Sequence, residues 1–118
     1  MKSILIVDDI VDNSDLLKAF LEIENYQVDV ANSGAIALEK IAANPPDLVL
    51  LDVMMPGMSG YEVVQQIRHT LKLSMPIMLV TGNDQPALVG GISIKPDDFI
   101  RKPIDFDRLL NRIQALLN

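Results

Sequence analysis

The chain reads as an α/β protein: a parallel sheet with helices covering both faces. Five short apolar runs, at residues 3–8, 27–31, 47–52, 76–81 and 98–101, alternate with segments of helical spacing. The runs are mostly apolar throughout, as strands buried on both sides must be. No linker, internal repeat or low-complexity stretch interrupts the alternation, so residues 1–118 read as one domain of ordinary size.

Each element has its own signal. "SILIVD" opens the chain as the first strand. In the helical segment that follows, Leu16, Leu17, Phe20 and Leu21 recur at the spacing of one helix face. "QVDVA" alternates more than the other runs, which suits an edge strand. Ser33 caps a second helix carrying Ile36, Leu38 and Ile41. "DLVLLD" is the third strand. Ser59-Gly60-Tyr61-Glu62 is a capping box, in which Ser and Glu satisfy each other's exposed backbone donors. After "PIMLVT", residues 83–94 make a weak fourth helix, because Gly90 and Gly91 each cost about 1 kcal/mol relative to Ala. Pro86 fits there only in a first turn. Asp105 then caps the strongest helix, with Phe106, Leu109, Leu110, Ile113, Leu116 and Leu117 on one stripe.

Composition narrows the function. With no Cys and one His, thiolate metal sites, disulfides and His clusters are excluded. A net charge of −6 and a pI near 4.5 speak against direct nucleic-acid binding, which needs a basic face. The N-terminal apolar run is too short for a signal peptide, and no stretch reaches membrane-spanning length, so a cytoplasmic protein away from membranes is expected.

What ends the strands is unusual. The first closes on Asp8 and Asp9, the third on Asp52, the fourth on Thr81, and Lys102 follows the fifth. The second ends on Ala31 and contributes nothing polar. Ligands of open parallel sheets bind outside the carboxyl ends of the strands. Clustered carboxylates repel, and both Lys102 and a hard divalent cation such as Mg²⁺ would relieve them. A carboxylate beside such charges can attack phosphorus to form an aspartyl phosphate. Asp52 is the nucleophile of choice, with Asp8 and Asp9 for the metal and Thr81 and Lys102 for phosphoryl oxygens. A lone Asp after a strand is more often a turn former or cap, and Asp12, Asp97 and Asp105 read that way. His69, far along the third helical segment, reads as a surface residue.

The stretches "ILIVDD" at 4–9, "DLVLLDVMMPGMSGYE" at 47–62, "PIMLVTG" at 76–82 and "DDFIRKP" at 97–103 together resemble the response-regulator receiver domain of two-component signalling, over nearly the whole chain. The resemblance implies a flavodoxin-like, doubly wound sheet of five strands in the order 2-1-3-4-5, with five helices. It implies phosphoryl transfer from a histidine kinase or phosphotransfer protein to Asp52, with Mg²⁺ on Asp8 (through water), Asp9, Asp52 and the Met54 carbonyl. It implies that the Val53 and Gly82 amides join Thr81 and Lys102 around the phosphoryl group. The Lys102–Pro103 bond is expected to be cis, and Thr81 and Phe99 form the switch pair. The domain would phosphorylate and dephosphorylate itself, with no separate metabolic substrate. Its downstream target is unspecified. A homodimer through the fourth helix, fifth strand and last helix would be one way to signal, although Gly82, Lys95, Pro96, Pro86 and the Gly90-Gly91 pair depart from the family's habits around that face. Met54 and Asn83 stand where the family tunes phosphate lifetime.

Rival classes lack their own residues. A haloacid-dehalogenase-type phosphatase needs a second Asp where Met54 stands. A flavodoxin-like cofactor binder needs a Ser/Thr/Gly-rich phosphate loop where "DDIVDN" stands, and no Gly-rich nucleotide motif occurs. A receiver-shaped interaction domain acting without phosphorylation is the remaining alternative. An apolar lip of Ile10, Met55, Pro56 and Pro103 is expected to dock the phosphodonor.

Overall fold

A computed structural model describes residues 1–82, 88–89, 92–93 and 97–117. Among them, five parallel strands form one sheet: β1 Ser3–Val7, β2 Gln27–Ala31, β3 Leu48–Asp52, β4 Ile77–Thr81 and β5 Asp98–Arg101, in the order β2-β1-β3-β4-β5. The helices are α1 Val11–Ile23, α2 Gly34–Ala43, α3 Gly60–Gln65 and α4 Phe106–Leu117. A π-type turn, Gln66–Thr70, extends α3, and the Leu71 amide reaches back to the Gln66 carbonyl at 2.9 Å. The fourth helix expected over 83–94 falls mostly outside the described residues. The described pairs within it, Leu88–Val89 and Ile92–Ser93, form a short antiparallel ladder.

Strand residues alternate between two cores, as the period of two requires. Leu5, Val7, Val49, Leu51, Ile77 and Leu79 face α2 and α3, where Ala37, Ile41, Val63, Val64 and Ile67 meet them. Ile4, Ile6, Leu48, Leu50, Met78, Val80 and Ile100 face the other way, onto Leu17 and Leu21 of α1 and Leu109 and Ile113 of α4. Phe20 and Phe106 stack at 4.8 Å between centroids and join those two helices. The central β3 is buried along its length, whereas β2 and β5, at the edges, alternate.

Two expected core positions lie outside. Leu16 and Ile36 are exposed, and the buried pairs are Leu17 with Leu21 and Ala37 with Ile41. Each pair repeats at i, i+4, and a one-residue shift turns a side chain about 100° around a helix. Each expected cap oxygen accepts a helix amide: Ser33 Oγ from Ile36 N at 3.2 Å, Ser59 Oγ from Glu62 N at 3.3 Å, and Asp105 Oδ1 from Arg108 N at 3.2 Å.

The far edge of the sheet is pinned by side chains. Asp47 accepts from the Ser3 amide (2.7 Å) and hydroxyl (3.2 Å), and these bonds, the backbone one first, hold its carboxyl below the usual range. Asp97, expected as a turn former or cap, instead accepts from Ile77 N at 2.7 Å and Arg68 at 2.8 Å and ties the start of β4 to the π-type turn. Arg112 clasps both Asp98 oxygens, at 2.7 and 2.8 Å, and ties α4 to the β5 edge. Among the described residues, no helix is long and apolar enough to cross a membrane.

Candidate functional site at the carboxyl edge of the sheet

Because all five strands run the same way, their carboxyl ends share one edge. β1, β3 and β4 are direct neighbours there: Val7 pairs with Leu51 and Asp52 with Val80. Asp8, Asp9 and Asp52 therefore meet, each offering a carboxylate oxygen within 4.8 Å of the others. The β4–β5 register sets Thr81 opposite Arg101, and Lys102 N donates to the Thr81 carbonyl at 2.9 Å. From there Lys102 Nζ reaches Asp52 Oδ2 at 3.3 Å. The other oxygen, Oδ1, accepts from the Met54 amide at 3.1 Å. Asp52 is 2 % exposed, and both of its oxygens are held.

The loop after β3 has a close backbone approach behind it. Gly57 turns it with φ +78°. At Gly60, the first residue of α3, a Cβ would lie 2.5 Å from the Asp52 carbonyl oxygen and 2.8 Å from Val53 Cα. Only glycine lets α3 begin against the strand end that carries Asp52.

The electrostatics are those of crowded acids. Burial, then the negative charge of Asp52 and a hydrogen bond shared with it, push the Asp8 carboxyl above its ordinary range. The Ile10 amide, 2.9 Å from Asp8 Oδ1, and the Lys102 charge pull the other way. Asp9 Oδ1 is buried and has no hydrogen-bond partner among the described residues. A buried, unpartnered carboxylate oxygen beside two more acids is a donor set for a hard cation, since hard oxygens in small number suit Mg²⁺.

The structure departs from expectation at three points. The Val53 amide, expected to face the phosphoryl group, donates to the Val80 carbonyl at 3.1 Å, because the β3–β4 ladder runs one residue past Asp52. The amide aimed at the carboxylate is that of Met54. Met55, expected on the apolar lip, is buried in the core, and its neighbour Met54 is 74 % exposed instead. The second strand also contributes: Asn32, just beyond β2, donates from Nδ2 to the Asp8 carbonyl at 2.6 Å. The parallel register of Val7 with Ala31 foretells that contact one step on, at Asp8 and Asn32.

The other candidates fall as follows. Thr81 is buried, and Gly82 is exposed with room for a Cβ. The Lys102–Pro103 bond is cis. Phe99 is 45 % exposed on the outer edge strand, and Ile10 also faces solvent at the rim. His69 is exposed in the π-type turn, away from the acids. Asn83 lies outside the described residues.

A family model, the response regulator receiver domain, matches residues 4–114. Response regulator ArlR of Staphylococcus epidermidis is 39 % identical over 118 residues, covering 99 % of this chain and 53 % of the relative. Response regulator MprA of Mycobacterium leprae is 41 % identical over 115 residues, covering 97 % of this chain and 50 % of the relative. The chain thus spans about half the length of the curated relatives it matches. Among solved structures, the Vibrio cholerae chemotaxis protein CheY4 superposes with a TM-score of 0.86 at 28 % identity, over 99 % of both chains. The signal receiver domain of a signal transduction histidine kinase from Syntrophus aciditrophicus does so with a TM-score of 0.87 at 32 % identity, over 99 % of this chain and 90 % of that one.

Proposed function

The chain belongs to the response regulator receiver domain family, and from that premise we propose that residues 1–118 form a phosphorylation switch of a two-component phosphorelay, with Asp52 as the acceptor. The observation that supports this best is the grip on Asp52: Met54 N on one oxygen, Lys102 Nζ on the other, and two more acids within reach. A carboxylate held at both oxygens is oriented before its reaction partner arrives.

In the proposed reaction a carboxylate oxygen of Asp52 attacks the phosphorus of a phosphohistidine. The new O–P bond forms as the P–N bond breaks, and the electron pair leaves on the imidazole nitrogen. Lys102 offsets charge spreading over the phosphoryl oxygens, and Thr81, buried at the end of β4, supplies a hydroxyl to one of them. The Gly82 amide would join them. Asp8, Asp9, Asp52 and the Met54 carbonyl would hold Mg²⁺, which when bound supplies positive charge to the acids and the phosphoryl group. Dephosphorylation is attack by water on the same phosphorus, returning Asp52 and inorganic phosphate. The exposed Phe99 and the buried Thr81 would be the switch pair, each changing place when the phosphoryl group draws the Thr81 hydroxyl.

The donor would be a cytoplasmic histidine kinase or a phosphotransfer protein, docking on the apolar rim of Ile10, Met54, Pro56 and Pro103. The downstream partner would be a protein that reads the β5–α4 side, and a second copy of the chain is one such reader. Incubation with acetyl phosphate and Mg²⁺, followed by intact mass, tests the reading. A phosphoryl adduct that EDTA abolishes is expected, and a chain that stays unmodified at any Mg²⁺ concentration would overturn it. Ile10→Lys should slow transfer from the protein donor and leave acetyl phosphate labelling intact. Equal loss with both donors would refute the docking rim.

A further inference from the structure

The acidic loop between β1 and α1 is tied to β2 by a side chain that sequence patterns do not mark. Asp8 N donates to the Ala31 carbonyl at 3.1 Å, one step past the β1–β2 strand pairing. Asn32 Nδ2 then donates to the Asp8 carbonyl at 2.6 Å. The same amide nitrogen lies 3.3 Å from Ser14 Oγ, and the fully buried Ser14 hydroxyl donates onward to the Val11 carbonyl at 3.0 Å. Asn32 thus bridges the end of β1 and the first turn of α1, the two anchors of the loop that carries Asp8 and Asp9. That matters because α1 has no side-chain cap at Ile10 to fix its start.

The Asp8 carbonyl belongs to the peptide plane that joins Asp8 to Asp9. A rigid plane held at its oxygen sets the direction in which the Asp9 backbone leaves it. The buried Asp9 Oδ1 has no partner among the described residues, so its side-chain bonds do not orient that oxygen. From this we infer that Asn32 is a positioning residue for cation binding: its amide holds the Asp8–Asp9 peptide so that both carboxylates face Asp52. The inference rests on the functional reading above. Asn32 holds the Asp8 backbone carbonyl rather than a carboxylate, and it acts through the peptide.

Titration calorimetry of the metal-free chain with MgCl₂ tests this with Asn32→Ala and the isosteric Asn32→Asp. Outer partners of a metal site typically govern affinity by about 10–100-fold, and a roughly tenfold weaker Mg²⁺ Kd is expected for Asn32→Ala. Asn32→Asp adds a negative charge near the acids, which by charge alone would tighten Mg²⁺ binding. If the donated N–H is what matters, it weakens binding as well. A purely structural role would appear as a lower Tm in EDTA, and no more than about 4–10 °C is expected from the two hydrogen bonds lost, to the Asp8 carbonyl and to Ser14 Oγ. The carbonyl ¹³C resonance of Asp8 should shift in both variants without metal. Mg²⁺ binding within twofold of wild type for Asn32→Ala, or tighter than wild type for Asn32→Asp, would overturn the inference. If Asn32→Ala fails to fold, the Asp variant decides alone. Wild type that binds Mg²⁺ only as well as Asp9→Asn would overturn the functional reading and the inference together, whereas failure of the Asn32 variants alone leaves that reading standing.

Discussion

Replacing Asp8 by Asn should make the metal-free protein more stable. Asp8 is 5 % exposed and lies within 4.8 Å of Asp9 and Asp52 oxygens. Two unit charges at that separation repel by roughly 3–4 kcal/mol at an effective dielectric of about 20. Lys102, 3.3 Å from Asp52, offsets part of this, leaving a relief of about 1–2 kcal/mol. The amide oxygen of Asn can still accept from the Ile10 amide, so the loop keeps its bond. For a chain of this size the gain corresponds to a Tm rise of roughly 4–10 °C in EDTA near neutral pH. The sign follows from the raised Asp8 pKa, whose first cause is burial. The folded chain holds that proton more tightly than the unfolded one, so the penalty is absent below the ordinary carboxyl pKa. It is fully present once the pH exceeds the raised value. The advantage of the Asn variant should therefore shrink as the pH falls toward about 4. Mg²⁺ should raise the Tm of wild type more than that of the variant. A variant that melts at or below wild type in EDTA at neutral pH would refute this reasoning.

At the opposite edge, Asp47→Ala should cost about 0.5–1 kcal/mol in urea titration at pH 7, a small value because the carboxylate is exposed and screened. Its lowered pKa means the deficit is present above the ordinary value near 3.8 and disappears as the pH falls through the lowered one; a deficit unchanged at pH 2.5 would contradict this. Gly60→Ala should destabilise by about 2–3 kcal/mol and slow acetyl phosphate labelling, because the added Cβ meets the Asp52 and Val53 backbone. Gly82→Ala, with nothing within 4 Å of its Cβ, should match wild type in Tm. Lys102→Met should slow labelling by about 10²-fold or more while Mg²⁺ still binds, since it removes the cation at Asp52 and leaves the acids in place.

Much of this was legible in the sequence for a definite reason. Ile4 to Val7 and Leu48 to Leu51 have no polar position, which permits only strands covered on both sides, and the observed bounds differ from the expected ones by about one residue. Parallel strands bring their carboxyl ends to one edge, so Asp8, Asp9, Asp52 and Lys102 could be gathered without coordinates. Details smaller than one residue were not legible. Whether Leu16 or Leu17 faces the sheet depends on how the loop delivers the helix. Whether the Val53 amide is free depends on where the ladder stops. The π-type turn at Gln66–Thr70 has no sequence mark at all. Asn32 stands out only once the strand register is applied one step past the end of β2.

The most direct measurement locates the phosphoryl group. After incubation with acetyl phosphate and Mg²⁺, borohydride reduction of the acyl phosphate followed by peptide mass mapping marks the acceptor. A reduced residue at position 52 alone, absent in Asp52→Asn and in EDTA, is the predicted result. Label at Asp8 or Asp9, or undiminished label in Asp52→Asn, would contradict the assignment of Asp52 as the nucleophile.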